Sequence, residues 1–124
     1  KKFGVIITDS HSTPLRRGAV GIALAYAGFR GLCDYRGTKD LFDREMYLEI
    51  ANHVDALAAA AVFTMGEGTE QTPLALITNL PNHCIFDKSA PSAEELAVLF
   101  VPLEDDIFFP LIRHEILAKG DKKR

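Results

Sequence analysis

The sequence predicts an α+β domain: mixed β-sheets of short strands, one long Ala-rich helix and one or two short helices. Three observations carry that prediction. Two short apolar runs, at residues 3–7 and 73–80, are bounded by polar turn residues and have the length of buried strands. Val20, Ile22, Leu24 and Tyr26 alternate with Gly21, Ala23, Ala25 and Ala27, a period of two with one bulky and one small face. Residues 49–65 instead carry a single apolar stripe at helical spacing. A three-layer α/β arrangement is the alternative.

The first strand contains Phe3, Val5, Ile6 and Ile7 and is expected to end at Thr8–Asp9–Ser10. A loop with Arg16, Arg17 and Gly18 follows. The alternating run 19–28 reads as a second strand lying close to other backbone, with a short Ala-rich helix as the competing assignment. Residues 29–36 are the candidate partner strand. Residues 34–40 form a turn with a surface ion pair, and 46–48 add one more short strand. In the helix, Ile50, Val54, Leu57, Ala58, Ala61 and Val62 fall on one stripe, and His53 lies off it, facing solvent. The alanines favour helix and allow close packing. Gly66 stops the helix as a residue just past a helix end does. Residues 73–80 (PLALITNL) read as a second buried strand, and 81–91 as irregular chain. Ser92 and Glu95 have capping-box spacing, so a short helix follows, or a strand through 98–101. Residues 111–118 suit a last short helix. The division expected is one domain over 1–118 and a basic tail over 119–124.

The 124 residues suffice for one domain with a core. Seventeen acids against fourteen Lys and Arg give a net charge of −3, which argues against nucleic acid as a partner. No apolar run approaches the ~18 residues that span a membrane, and no signal peptide is visible, so the expected location is cytoplasmic. Cys33 and Cys84 make neither a disulfide framework nor a zinc motif.

The chemistry concentrates in two places. Asp9 and Ser10 at a strand end offer a carboxylate and a hydroxyl, oxygen ligands suited to Mg²⁺ or Mn²⁺. Arg16 and Arg17 suit a phosphate or carboxylate, because guanidinium donors pair with such oxygens. The same residue types also make ordinary turns and solvated loops. The stretch Gly66–Glu67–Gly68–Thr69–Glu70–Gln71–Thr72–Pro73 is polar and glycine-containing, and glycine lets backbone N–H groups approach phosphate. It has no Lys and is no P-loop, so a plain helix-to-strand connector is the other reading. Asn82, His83 and Cys84 invite a Cys–His pair, but neighbours in extended chain point apart. Glu104, Asp105 and Asp106 read as a solvated turn or helix start.

The order of these motifs resembles one family. VIITDSHSTPLRRG (5–18), LCDYRGTKDLFDREM (32–46), VDALAAAAVFTMGEG (54–68), PLALIT (73–78) and PLEDDIFF (102–109) follow one another as in the coenzyme F420-0:L-glutamate ligase (gamma-glutamyl ligase) family. Each is weak alone; five in order are specific. The resemblance covers residues 3–109 and implies GTP as co-substrate, Mg²⁺ or Mn²⁺ as cofactor, and L-glutamate joined by an amide bond to the carboxylate of a deazaflavin precursor. It also implies a homodimer. Position by position, Asp9 matches the family's metal-binding Asp, and Ser10 stands where a metal-contacting Thr is usual. The loop from Met65 to Thr72 matches the GTP-contacting loop, with Met65, Gly66, Glu67, Gly68, Thr69 and Thr72 as its contacts and Glu67 as a metal ligand. Arg16 and Arg17 fall in the family's Arg–x–Gly pattern, as contacts to phosphate or precursor.

The chain departs from the pattern at named places. Ala19 follows Gly18 where Gln is usual, Ser12–Thr13 replace Gly–Arg, and Asp43 stands where Gly is usual after DLF. The family's N-terminal part, with a further D-x-S-N metal motif, has no match in these residues. A fragment, half of a split enzyme whose partner supplies the rest, and a non-catalytic ligase-like domain that binds a partner or anion are the three expectations that follow.

Overall fold

The computed structural model describes residues 2–87 and 89–110. It is α+β, with two small antiparallel sheets and one main helix. The chain divides into two compact units, Lys1–Pro91 and Ser92–Arg124.

In the first unit, β1 (Val5–Ser12) and β2 (Ala19–Ala27) form a hairpin. β1 does not end at Thr8–Asp9–Ser10, as expected, but runs on to Ser12, because every residue from Thr8 to Ser12 has a partner on β2. Nor is it buried: Val5, Ile7 and Asp9 are exposed, while Ile6, Thr8 and Ser10 are half-buried. A sheet of two strands has only one face to cover and two open edges, so polar residues enter the ladder freely. The register slips between Ile7, opposite Ala25, and Thr8, opposite Ala23, which leaves Leu24 as the extra residue of a bulge.

The alternating run is the strand β2, and its small face does admit close backbone. α1 (His53–Met65) crosses it at Gly21, where a Cβ would sit 2.6 Å from the Ala58 carbonyl and 2.7 Å from the Val62 side chain. Only glycine permits that approach. Val54, Ala58 and Val62 are the buried residues of α1, and with Phe29 and Cys84 they form the core.

Four sequence expectations shift in the structure. Residues 29–36 do not pair with β2. Instead β3 (Leu32–Asp34) pairs with β4 (Ile50–Asn52), and Phe29 bridges Phe86. The short strand expected at 46–48 is displaced to β4, and α1 starts at His53 rather than Glu49, because Ile50 and Asn52 are taken by pairing with β3. The stretch 73–80 is neither strand nor buried. Leu74 is 89% exposed and Leu76 88%. Among the described residues no backbone group of 73–80 meets another strand, and an apolar run without a ladder partner does not become a strand.

Asn52 caps α1, accepting from the Asp55 N–H, and Gly66 ends it with φ 83°. Asp55 also accepts from the Asn52 amide at 2.6 Å and from Ala23 N–H at 2.9 Å, tying the first turn of the helix to the bulge of β2.

In the second unit, α2 (Ala93–Ala97) carries the expected capping box between Ser92 and Glu95, which decides for the helix over the strand. Leu103–Asp105 is a 3₁₀ turn, so the acidic triplet begins in a turn. The helix expected at 111–118 and the tail 119–124 lie outside the described residues. No described helix is long and apolar enough to cross a membrane.

Candidate functional site

Within the first unit, the end of α1, the loop after it and the middle of β1 enclose a groove of about 550 Å³. Its walls are Thr8, Asp9 and Ser10 from β1, Val62 and Met65 from α1, and Gly66, Glu67, Gly68, Glu70, Gln71, Thr72 and Pro73 from the loop. Thus Asp9 and Ser10 meet Met65, Gly66, Glu67, Gly68 and Thr72 although more than fifty positions separate the two stretches. The packing of α1 on β2 sets this juxtaposition, since it carries the helix C-terminus across the hairpin.

Asp9 and Ser10 do not leave a strand tip together. They are neighbours inside β1, Ser10 half-buried and Asp9 exposed, and both line the groove. The Asp9 carboxylate turns back to accept from the Ser10 N–H at 2.8 Å. Thr69 is exposed and lies outside the groove lining. Arg16 and Arg17 sit in the turn between β1 and β2, beyond Ser12, and do not line it either.

The loop is held in shape. The Thr72 hydroxyl donates to the Met65 carbonyl, closing residues 65–72 into a ring. Gln71 has a positive φ of 56°, and Gly66 one of 83°. The Gly68 N–H donates to Glu70 Oε2 at 2.8 Å. Sequence reasoning passed over Glu70, whose signal was its place four residues after Gly66 in a loop that already carried Glu67.

Three carboxylates, Asp9, Glu67 and Glu70, therefore share one groove with the hydroxyls of Thr8, Ser10 and Thr72. Met65 and Gly66 bring the C-terminal end of α1 to the same place, and its partial negative charge adds to theirs. Carboxylate and hydroxyl oxygens gathered in one groove, beside apolar Val62, Met65 and Pro73, offer the donor chemistry that a hard cation takes. Among the described residues no three acidic, His or Cys groups converge closely enough to hold an ion by themselves.

The other reactive residues gather elsewhere. His53 is half-buried rather than facing solvent, and its ring lies 5.2 Å from that of His83. Burial first, and the neighbouring His83 second, push its pKa below the ordinary value. Cys84 is a buried thiol whose pKa burial pushes up, which disfavours the thiolate, and His83 beside it is exposed.

Comparison with known proteins bears on which site this is. The model of the F420-0:gamma-glutamyl ligase family matches residues 1–79, more than half of the chain. The chain belongs to that family. It is 47% identical over 81 residues to the coenzyme F420:L-glutamate ligase of Methanococcus maripaludis, covering 65% of this chain and 33% of that protein. To the ligase of the same name from Methanocaldococcus jannaschii it is 45% identical over 83 residues, with 65% and 33% covered. To that of Archaeoglobus fulgidus it is 39% identical over 80 residues, with 64% and 32% covered. The chain thus spans about a third of the length of the curated relatives it matches. The groove of this ligase-family chain, from Thr8 to Pro73, falls wholly inside the matched residues.

Proposed function

We propose that this chain carries part of the active site of a GTP- and metal-dependent glutamate ligase, adding L-glutamate to the carboxylate of a deazaflavin precursor or a similar acceptor. The observation that supports it most is the shared groove of Asp9, Ser10, Glu67, Gly68 and Thr72 within the family-matched residues. Asp9, Ser10 and Glu67 hold Mg²⁺ or Mn²⁺ in this reading, and Met65, Gly66, Glu67, Gly68, Thr69 and Thr72 contact the nucleotide. The donor chemistry of these side chains would suit a hard cation. Bound there, the cation neutralises phosphate charge.

The reaction runs in two transfers. An oxygen of the acceptor carboxylate attacks the terminal phosphorus of GTP, the bond to the bridging oxygen breaks, and GDP leaves. The glutamate amine then attacks the acyl carbon, an amide bond forms, inorganic phosphate leaves and the amine loses a proton. Arg16 and Arg17, on the hairpin turn, contact phosphate or the acceptor carboxylate. The remaining nucleotide contacts come from polypeptide outside these residues, either continuous with the chain or a separate partner, and the assembly is a homodimer in the cytoplasm.

Calorimetry of the chain with GTP and Mn²⁺ tests this reading. Saturable binding that needs Mn²⁺ and weakens at least tenfold in Asp9→Ala is expected. Binding that ignores Mn²⁺ or the substitution would count against it. A second reading, a ligase-like domain that binds a partner without turnover, is favoured by the exposed leucines of 73–80.

A further inference from the structure

Two imidazoles meet in the first unit away from the groove. His53 opens α1, and its backbone N–H donates to the Gly31 carbonyl at 2.9 Å. His83 arrives from the irregular chain thirty positions later. That chain is itself docked beside Gly31. The Arg30 N–H donates to the Ile85 carbonyl at 2.9 Å, the Asp87 N–H donates to the Gly28 carbonyl at 3.0 Å, and Cys84 is buried in the core. The backbone therefore holds both histidines in place, with ring centres 5.2 Å apart and planes tilted by 45°. Among the described residues no group hydrogen-bonds either ring, and no buried side-chain nitrogen is left without a partner, so the ring nitrogens reach solvent. Protonating both rings would set two like charges side by side. Burial and His83 already favour the neutral form of His53. Neutral imidazole is the metal-binding form, and it suits Zn²⁺, Cu²⁺ or Ni²⁺ rather than Mg²⁺ or Mn²⁺. A tetrahedral ion with Zn–N bonds of about 2.0–2.1 Å sets the centres of two bound rings roughly 5 Å apart.

We propose that His53 and His83 form a metal site for Zn²⁺ or a similar nitrogen-seeking divalent cation. It uses none of the residues that line the groove and does not depend on the ligase reading. The two imidazoles supply two ligands and water fills the other positions, so the ion binds reversibly. Among the described residues no third acidic, His or Cys group joins them. Bound there, the ion cross-links the start of α1 to chain that lies beyond the family-matched residues 1–79. An ion that binds the folded chain through two distant residues stabilises it by mass action.

The test uses the nitrogen-labelled full chain at neutral pH and follows the imidazole ring nitrogens by NMR while zinc sulfate is added. The His53 and His83 rings are expected to shift together and to saturate at one Zn²⁺ concentration. The exposed His11, on β1, serves as an internal control and stays still at that concentration. Magnesium chloride in excess neither shifts the pair nor displaces Zn²⁺ from it. His83→Ala removes an exposed side chain and leaves the fold in place. In that variant the Zn²⁺ concentration that shifts the His53 ring rises at least tenfold, and the Zn²⁺-induced rise in the urea midpoint of the native chain is lost. His11→Ala keeps both responses. Rings that do not move, rings that saturate at different concentrations, His11 moving in step with them, or an undiminished His53 response in His83→Ala would each overturn the proposal. The last two results would mean adventitious binding to single histidines, with His53 and His83 in packing contact only.

Discussion

Asp34 and Arg36 show what a single pair does at the surface. The Arg36 guanidinium grips the Asp34 carboxylate at 2.6 Å and the Arg36 backbone N–H adds another bond, so the Asp34 pKa falls to about 2. A depressed carboxylate stabilises the fold above its unfolded value of 3.8 and loses that contribution as pH falls toward about 2. Arg36→Ala is predicted to raise the Asp34 pKa only part of the way to the ordinary carboxylate range, because the backbone N–H of position 36 still donates, read from the pH dependence of its side-chain carbon shift. His53 acts in the opposite region. Burial and His83 favour its neutral form, so stability is complete above the usual histidine value of 6.5 and declines as pH falls below it. Denaturant midpoints measured from pH 7.5 to 5 are predicted to fall less steeply in His83→Ala than in the native chain. Single residues were partly legible in the sequence. Gly66 could be read as a helix stop from its type alone, and Asp43, where the family pattern has Gly, takes a left-handed φ of 62°, a conformation that glycine adopts without cost. His53 was not legible, because its neighbour His83 is thirty positions away and no local pattern announces the contact.

At the scale of elements, the helix and hairpin stand or fall together. Asp55 joins them through Ala23 and Asn52, so Asp55→Ala loses a cap contact and strands a backbone N–H. A loss of about 1–3 kcal/mol in urea unfolding is predicted. Gly21→Ala forces a Cβ against backbone and the Val62 side chain, and is predicted to cost about 1–3 kcal/mol or more by the same measurement. Period and composition were enough to place β2, most of α1 and the capping box of α2. They misplaced the helix start, since the pattern of residues 50–52 suits a stripe as well as a strand and only β3 decides between them. They also made 73–80 a buried strand, because sequence reports an apolar run but not whether a neighbour lies beside it. The exposure of Leu74 and Leu76 has a direct consequence: replacing both by Ser should change the unfolding free energy of the chain by less than about 0.5 kcal/mol per site.

Over the whole molecule, the family was readable from five ordered motifs, and the match over residues 1–79 establishes it. The groove was half readable. Asp9, Ser10 and the loop were singled out by residue type, and their meeting follows from α1 crossing β2 at Gly21. The arginines were expected beside them and lie on the turn instead, because β1 continues three residues past Asp9 to Ser12. The chain covers a third of the length of its relatives, so a complete ligase site belongs to the proposed function and not to the fold described. What these residues can be asked for directly is the cation. The measurement that reaches it is Mn²⁺ titration of the labelled chain, reading which amide signals broaden near the paramagnetic ion. The account predicts that Ser10, Glu67 and Gly68 broaden together at the lowest Mn²⁺ concentrations, and that Asp9→Ala abolishes this. Broadening centred elsewhere, or unchanged in Asp9→Ala, would contradict it.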